Sequence, residues 1–124
     1  MIRFYYDFRN SSSRKAIEWF KSMNIEISTK RIQNIPREEL LNALYLSERG
    51  FTDILKGKGK AGSDVERMKN EVQQMNFSEA VDFVLVHTDL LKVPIILDEN
   101  KLMIGFNSEE IRKFTSRVYR RFEV

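Results

Sequence analysis

The apolar residues of this 124-residue chain fall into short blocks whose period changes along the sequence. Ile2 to Tyr6 is dense in β-branched and aromatic residues and ends at polar turn formers, which is the pattern of a strand. After Asp7-Phe8-Arg9-Asn10 and three serines, the apolar positions Ala16, Ile17, Trp19 and Phe20 fit one helical face, so a helix is predicted to run to about Met23-Asn24. Asn10 and the serines are the residue types that cap a helix start, because short polar side chains accept hydrogen bonds from the free first-turn amides. Ile25 to Thr29 alternates apolar and polar, which predicts a short strand with one buried face. Strand, helix and strand in this order form a βαβ unit with a right-handed crossover.

The middle of the chain reads as helical. Pro36 opens a helix where its missing amide does no harm, with Leu40, Leu41, Leu44 and Tyr45 as the expected buried face. Gly50 stands where a helix-ending glycine is expected, and Phe51 to Leu55 reads as one further turn. Lys56-Gly57-Lys58-Gly59-Lys60-Ala61-Gly62 has no apolar surface to bury and is expected to be a solvated connector. Its G-x-G-x-x-G spacing lacks the preceding strand of a dinucleotide loop and is a chance match. Ser63-Asp64-Val65-Glu66 is a capping box, followed by Val65, Met68, Val72 and Met75 at helical spacing. After an interruption at Asn76 to Glu79, the apolar segment Ala80 to Leu90 is long enough for a buried helix. His87, the one histidine, stands near its end, where no partnering Asp or Ser constellation is evident; a satisfied structural residue is the expectation.

Two apolar runs, up to Leu97 and from Leu102 to Phe106, flank Asp98-Glu99-Asn100 and predict a β-hairpin, with Pro94 at the start of its first strand. Asn107 to Glu110 caps a last helix with Ile111, Phe114 and Val118 inside and a basic end of Arg112, Lys113, Arg117, Arg120 and Arg121.

Composition removes several classes of chemistry. Zero Cys excludes disulfides, thiol catalysis, cysteine-ligated zinc and iron–sulfur clusters. A net charge of +3 permits an acidic partner without requiring one. No apolar run approaches membrane-spanning length and no secretion signal is visible, so a cytoplasmic protein is expected. The length is that of one domain, with halves at about 1–30 and 90–124 around a helical insertion at about 36–90.

Two stretches carry a family resemblance. Asn10 and Ser13 stand three apart where a thioredoxin-like protein has Cys-x-x-Cys, and Arg14-Lys15-Ala16 follows; Leu90 to Phe114 contains Leu-Leu-x-x-Pro-Ile-Ile-x-Asp-Glu-x-x-Leu-x-x-Gly-Phe-Asn-x-Glu-Glu-Ile-Arg-Lys-Phe. This pattern resembles the arsenate reductase and Spx family. The resemblance implies an α/β, thioredoxin-like fold with a helical insertion and a mixed four-stranded sheet, and a cis peptide bond at Pro94. It also exposes two departures. Both sulfur positions are gone, and Val93 replaces the family arginine before the proline, which removes a bidentate oxyanion grip. Arsenate reduction is therefore disfavoured, and no catalytic residue, cofactor or metal is expected.

What the resemblance then implies is an Spx-like global transcriptional regulator that binds the C-terminal domain of the RNA polymerase α subunit. Redox insensitivity follows from the missing cysteines. Arg9, Asn10, Ser13, Arg14 and Gly50 would form the partner-binding face; Lys56, Lys58 and Lys60 would face promoter DNA, met only within the polymerase complex. The free protein is expected to be a monomer. The alternative is a catalytically inactive scaffold that binds a small anion at the Ser11 to Ser13 amides with Arg9 or Lys92, or binds another protein.

Overall fold

The computed structural model describes residues 1–57 and 63–115. Its four strands are β1 (Ile2–Tyr6), β2 (Ile27–Arg31), β3 (Ile95–Asp98) and β4 (Lys101–Ile104), in the sheet order β2-β1-β3-β4. β1 runs parallel to β2, with Ile2 opposite Ile27, and antiparallel to β3, with Phe4 opposite Ile96; β3 and β4 are antiparallel, with Ile96 opposite Met103. The sheet is therefore mixed. The helices are α1 (Ser11–Ser22), α2 (Arg37–Leu46), α3 (Phe51–Ile54), α4 (Ser63–Gln73) and α5 (Phe77–Val86). The fold is α/β.

Strand alternation sends side chains to opposite faces. Ile2, Phe4, Ile96 and Met103 pack with Ala16 and Phe20 of α1 and with Ile111 and Phe114, whereas Tyr5, Ile95 and Leu97 pack with Leu40, Val81, Val84 and other residues of the insertion. The sheet thus separates two cores.

Local chemistry explains where the elements begin and end. The Asn10 side chain accepts from the Ser13 amide at 2.7 Å and caps α1. At the other end Asn24 takes φ 56°, its amide bonds Lys21 O at 3.1 Å and the Ile25 amide bonds Phe20 O at 3.0 Å. That is a Schellman closure with Asn in the left-handed position. It uses up Ile25, so β2 begins at Ile27 and extends to Arg31 rather than spanning Ile25 to Thr29.

Three further expectations require correction. Tyr45 is 87% exposed, because it lies roughly 100° around the helix from Leu44, outside the stripe formed by buried Leu40, Ala43 and Leu44. Gly50 does not close α2, which ends at Leu46 with Ser47 as its cap in extended conformation. The Ser47 hydroxyl donates to Leu44 O at 2.6 Å and accepts from the Gly50 amide at 2.9 Å, so the chain leaves the helix through a serine. Val86, counted in an apolar buried segment, is 77% exposed at the end of α5.

α5 begins under an Asn76 cap that accepts from the Glu79 amide at 2.9 Å, and stops at His87. The His87 ring stacks on Phe83, with centroids 4.4 Å apart. The hairpin connects β3 and β4 through Glu99 and Asn100, and a 3₁₀ turn at Glu110–Phe114 follows, with Asn107 Oδ1 accepting from the Glu109 and Glu110 amides at 2.9 Å each. Lys58, Lys60, the Ser63 side chain, Arg117, Val118, Arg120 and Arg121 lie outside the described residues. Among the described residues no helix is long and apolar enough to cross a membrane.

Candidate functional site

The turn between β1 and α1 is held by short polar side chains. Asn10 N donates to Asp7 O at 2.9 Å, Asp7 N donates to Ser13 Oγ at 3.4 Å, and Arg9 N donates to Asp7 Oδ1 at 3.0 Å. Ser13 is fully buried. It is the floor of the turn, and its hydroxyl has a structural role rather than an exposed contact to offer. Arg9 and Arg14 are outside: Arg9 lies 3.6 Å from Asp7 and remains largely solvated, and Arg14 donates to Phe8 O at 3.1 Å. Phe8 itself is 56% exposed, with the Arg31 guanidinium 5.2 Å from its ring centre.

The segment before Pro94 faces this turn. The Val93–Pro94 bond is cis. Leu91 forms an antiparallel bridge with Leu55, with Lys56 N bonded to Leu90 O at 2.8 Å and Lys92 N bonded to Ile54 O at 2.9 Å. This ladder fixes the backbone at Lys56, so this lysine belongs to a pinned segment. Asn10, Ser12, Lys56, Lys92, Val93 and Gly105 line one cleft of about 460 Å³. The cleft combines a helix start, two ammonium groups and no carboxylate, which is a setting that favours an anion. At the position before the cis-proline, however, Val93 contributes only a branched hydrocarbon.

Gly50 lies elsewhere on the surface, between α2 and α3. It takes φ 63° and ψ −129°, the mirror image of an extended residue, which only glycine enters without strain. A Cβ built there meets nothing within 4 Å, so the surface at this point is open. The glycine is required by its own backbone. The turn is held by Asp53, whose carboxylate accepts from the Glu48 and Arg49 amides at 3.1 and 2.8 Å and from Arg49 Nε at 3.1 Å. These bonds, the Arg49 amide foremost, hold the Asp53 carboxyl below its ordinary range. Asp53 and Ser47 are thus the supports of the Gly50 turn. Sequence reading missed both, because a carboxylate that bonds backward to amides four and five residues away has no fixed motif.

Gly50 and the α1 turn do not share a cleft. Gly50 borders an apolar groove with Leu41, Leu44, exposed Tyr45 and Phe77, and Phe77 in turn lines a third cavity that reaches Lys56 and Lys92. The residues expected to meet a partner thus lie at two separate turns, whose clefts are connected only through the cavity that Lys56, Lys92 and Phe77 line.

Comparison with known proteins places this geometry. The family model for ArsC proteins matches residues 5–114. The chain belongs to the ArsC family. The global transcriptional regulator Spx of Streptococcus pyogenes serotype M3 is 33% identical over 116 residues, which cover 92% of this chain and 84% of that protein. The global transcriptional regulator Spx 2 of Bacillus anthracis is 34% identical over 124 residues, covering 98% of this chain and 92% of the relative. Among solved structures, an ArsC family related protein from Bacteroides fragilis superposes with a TM-score of 0.75 at 24% identity, over 92% of this chain and 97% of the other. This ArsC family member thus has Spx-named relatives over nearly its whole length and a thioredoxin-like fold, yet contains no cysteine.

Proposed function

We propose that this ArsC family chain, folding as one domain in the cytoplasm, is an Spx-type transcriptional regulator without a redox switch, which docks on the C-terminal domain of the RNA polymerase α subunit. The observation that carries the reading is the combination of relatives named Spx over 92% and 98% of the chain with the loss of every cysteine. A sulfur-dependent reductase cannot survive that loss, whereas a docking surface can.

The proposed contact surface is the strip from Arg9, Asn10 and Arg14 to the Gly50 turn, with buried Ser13 holding the first end in shape and Asp53 the second. Lys56, with Lys58 and Lys60, is assigned to promoter phosphates within the polymerase complex, where such contacts add affinity without sequence preference. The cleft beside Asn10 supports a second reading, an inactive scaffold that takes a small anion between Lys56 and Lys92.

The test is retention of the α C-terminal domain by the immobilised full chain. Wild type is expected to retain it at micromolar concentration and to do so equally under oxidising and reducing conditions. Gly50→Arg is expected to abolish retention; because any side chain at φ 63° strains the backbone, Arg14→Glu serves as the strain-free companion and is expected to weaken retention at an unchanged melting temperature. No retention by wild type, or equal retention by both variants, overturns the reading.

A further inference from the structure

A cavity of about 510 Å³ lies between α3, the end of α4 and the start of α5. That is within the range of small-molecule sites. Its walls divide by chemistry. Phe51, Leu55, Val72, Met75 and Phe77 provide the apolar part, with the Phe51 and Phe77 rings 5.8 Å apart. Phe77 is 57% exposed, so this wall is not closed over by the described chain.

Lys56, Lys69 and Lys92 provide the charged part, beside the neutral polar Thr52 and Gln73, and no lining residue among those described carries a carboxylate. Lys69 lies 4.0 Å from Glu66. Lys56 and Lys92 have no carboxylate within salt-bridge distance among the described residues. They are diagonal neighbours across the Leu55–Leu91 bridge, a relation that sets Cα atoms roughly 7–8 Å apart, and both also line the cleft at the α1 turn, which places them at the same end of the cavity. Phe77 is shared instead with the Gly50 groove and marks the other end. Lys56 also borders a separate pocket with Asp7 and Asp89, neither within salt-bridge distance of it, so on the cavity side one anion between Lys56 and Lys92 would supply both with a counter-charge.

We propose that this cavity binds a small amphipathic carboxylate, an aliphatic acid of medium chain length, with its head between Lys56 and Lys92 and its chain against Phe51, Met75 and Phe77. The charge division selects the occupant. A neutral apolar molecule leaves the two lysines unpaired, and a short anion leaves the aromatic wall in water. The head-group position rests on the second reading, in which a small anion lies between Lys56 and Lys92, and its occupation competes with the promoter contact assigned to Lys56; retention of the α C-terminal domain, which needs neither lysine, tests the polymerase reading separately.

Thermal melting and NMR titration of the full chain with decanoate, decanol and acetate test it. Decanoate is expected to raise the melting temperature saturably and to shift resonances at Phe51, Met75 and Phe77; decanol and acetate at equal concentration are expected to bind at least tenfold more weakly. Lys56→Gln with Lys92→Gln, both surface substitutions, is expected to lower decanoate affinity at least tenfold without changing the melting temperature of the free protein. Equal binding of decanol, unaltered affinity in the double variant, or no response to millimolar decanoate overturns the proposal. Concentration-dependent dimerisation that protects Phe77 would assign the wall to a second copy and overturn it too.

Discussion

The two faces of the sheet are built differently. On the α1 side the core is aromatic: Phe20 meets Phe4, Trp19 and Phe114 edge-on at centroid distances of 6.1, 5.0 and 5.7 Å. On the insertion side the core is aliphatic and is tied to the sheet by a polar cluster. Arg3 donates to Glu39 through Nε at 2.7 Å and its terminal nitrogen at 3.1 Å, and Tyr5 and Asn42 donate to the same carboxylate at 3.1 and 2.9 Å. The difference teaches that the two halves depend on different physics. The ring cluster is held mainly by non-directional apolar burial, with an added edge-to-face preference, whereas a bidentate ion pair sets orientation and so fixes where α2, and with it the Gly50 turn, sits on the sheet.

Breaking the aromatic side should have the largest effect. Phe20→Ala removes the ring common to three contacts and is expected to cost about 3–5 kcal/mol, read as a drop in denaturant midpoint. Leu40→Ala on the insertion side, also fully buried, is expected to cost about 2–5 kcal/mol. A larger loss from Leu40 than from Phe20 would reverse the ranking of the two cores.

The polar tie comes next. Glu39→Gln removes the charge that Arg3 faces and is expected to cost about 1–3 kcal/mol. The Arg3 guanidinium, with Asn42 and Tyr5, holds the Glu39 carboxyl below its ordinary value against the opposing effect of burial. A depressed folded value means that this contribution is complete above the ordinary glutamate range and is lost as pH falls through the folded value. Burial, with the nearby Glu39 charge, pushes the Tyr5 hydroxyl up to about 12. Its contribution is complete below the ordinary tyrosine value near about 10 and is lost as pH rises from there through about 12. Stability curves of wild type and Glu39→Gln should therefore converge in acid; parallel curves below pH 4 would remove the ion pair from the account.

The smallest effects should be at the caps. Asn10→Ala and Asn76→Ala each remove one side-chain acceptor from a helix start, and each is expected to cost about 1 kcal/mol. Equal losses would show that the α1 turn retains only ordinary capping energy; a gain on Asn10 replacement would indicate strain kept at the start of α1.

Much of this was readable in the chain because it depends on neighbours. The β1 run, the Asn10 cap and the hairpin turn at Asp98-Glu99-Asn100 all follow from side chains within a few residues of one another, whereas Asn76, which reads as part of an interruption, is the cap of a helix that already starts at Phe77. The family resemblance anticipated the mixed sheet and the overall fold. The errors arose where a distant or backward contact decided the outcome. Tyr45 has the right composition for a core position, but the buried stripe of α2 is set by Leu40, Ala43 and Leu44 against α5. Gly50 matches a helix stop until Ser47, bonding both Leu44 O and the Gly50 amide, ends the helix first. The candidate site divided in the same way: Asn10 and Arg14 were legible as a helix start, but nothing local shows that Ser13 is completely covered or that Lys56 is pinned beside Lys92.

The sequence alone determined that thiol chemistry is absent, since no folding restores a missing cysteine. It also determined the element types, because period and capping are local properties of the chain. Only the tertiary structure decided that Lys56 and Lys92 share a cavity and that the Glu39 carboxylate ties α2 to Arg3 of the sheet. Those relations join residues tens of positions apart, and their free energy exists only once the sheet and the insertion have packed.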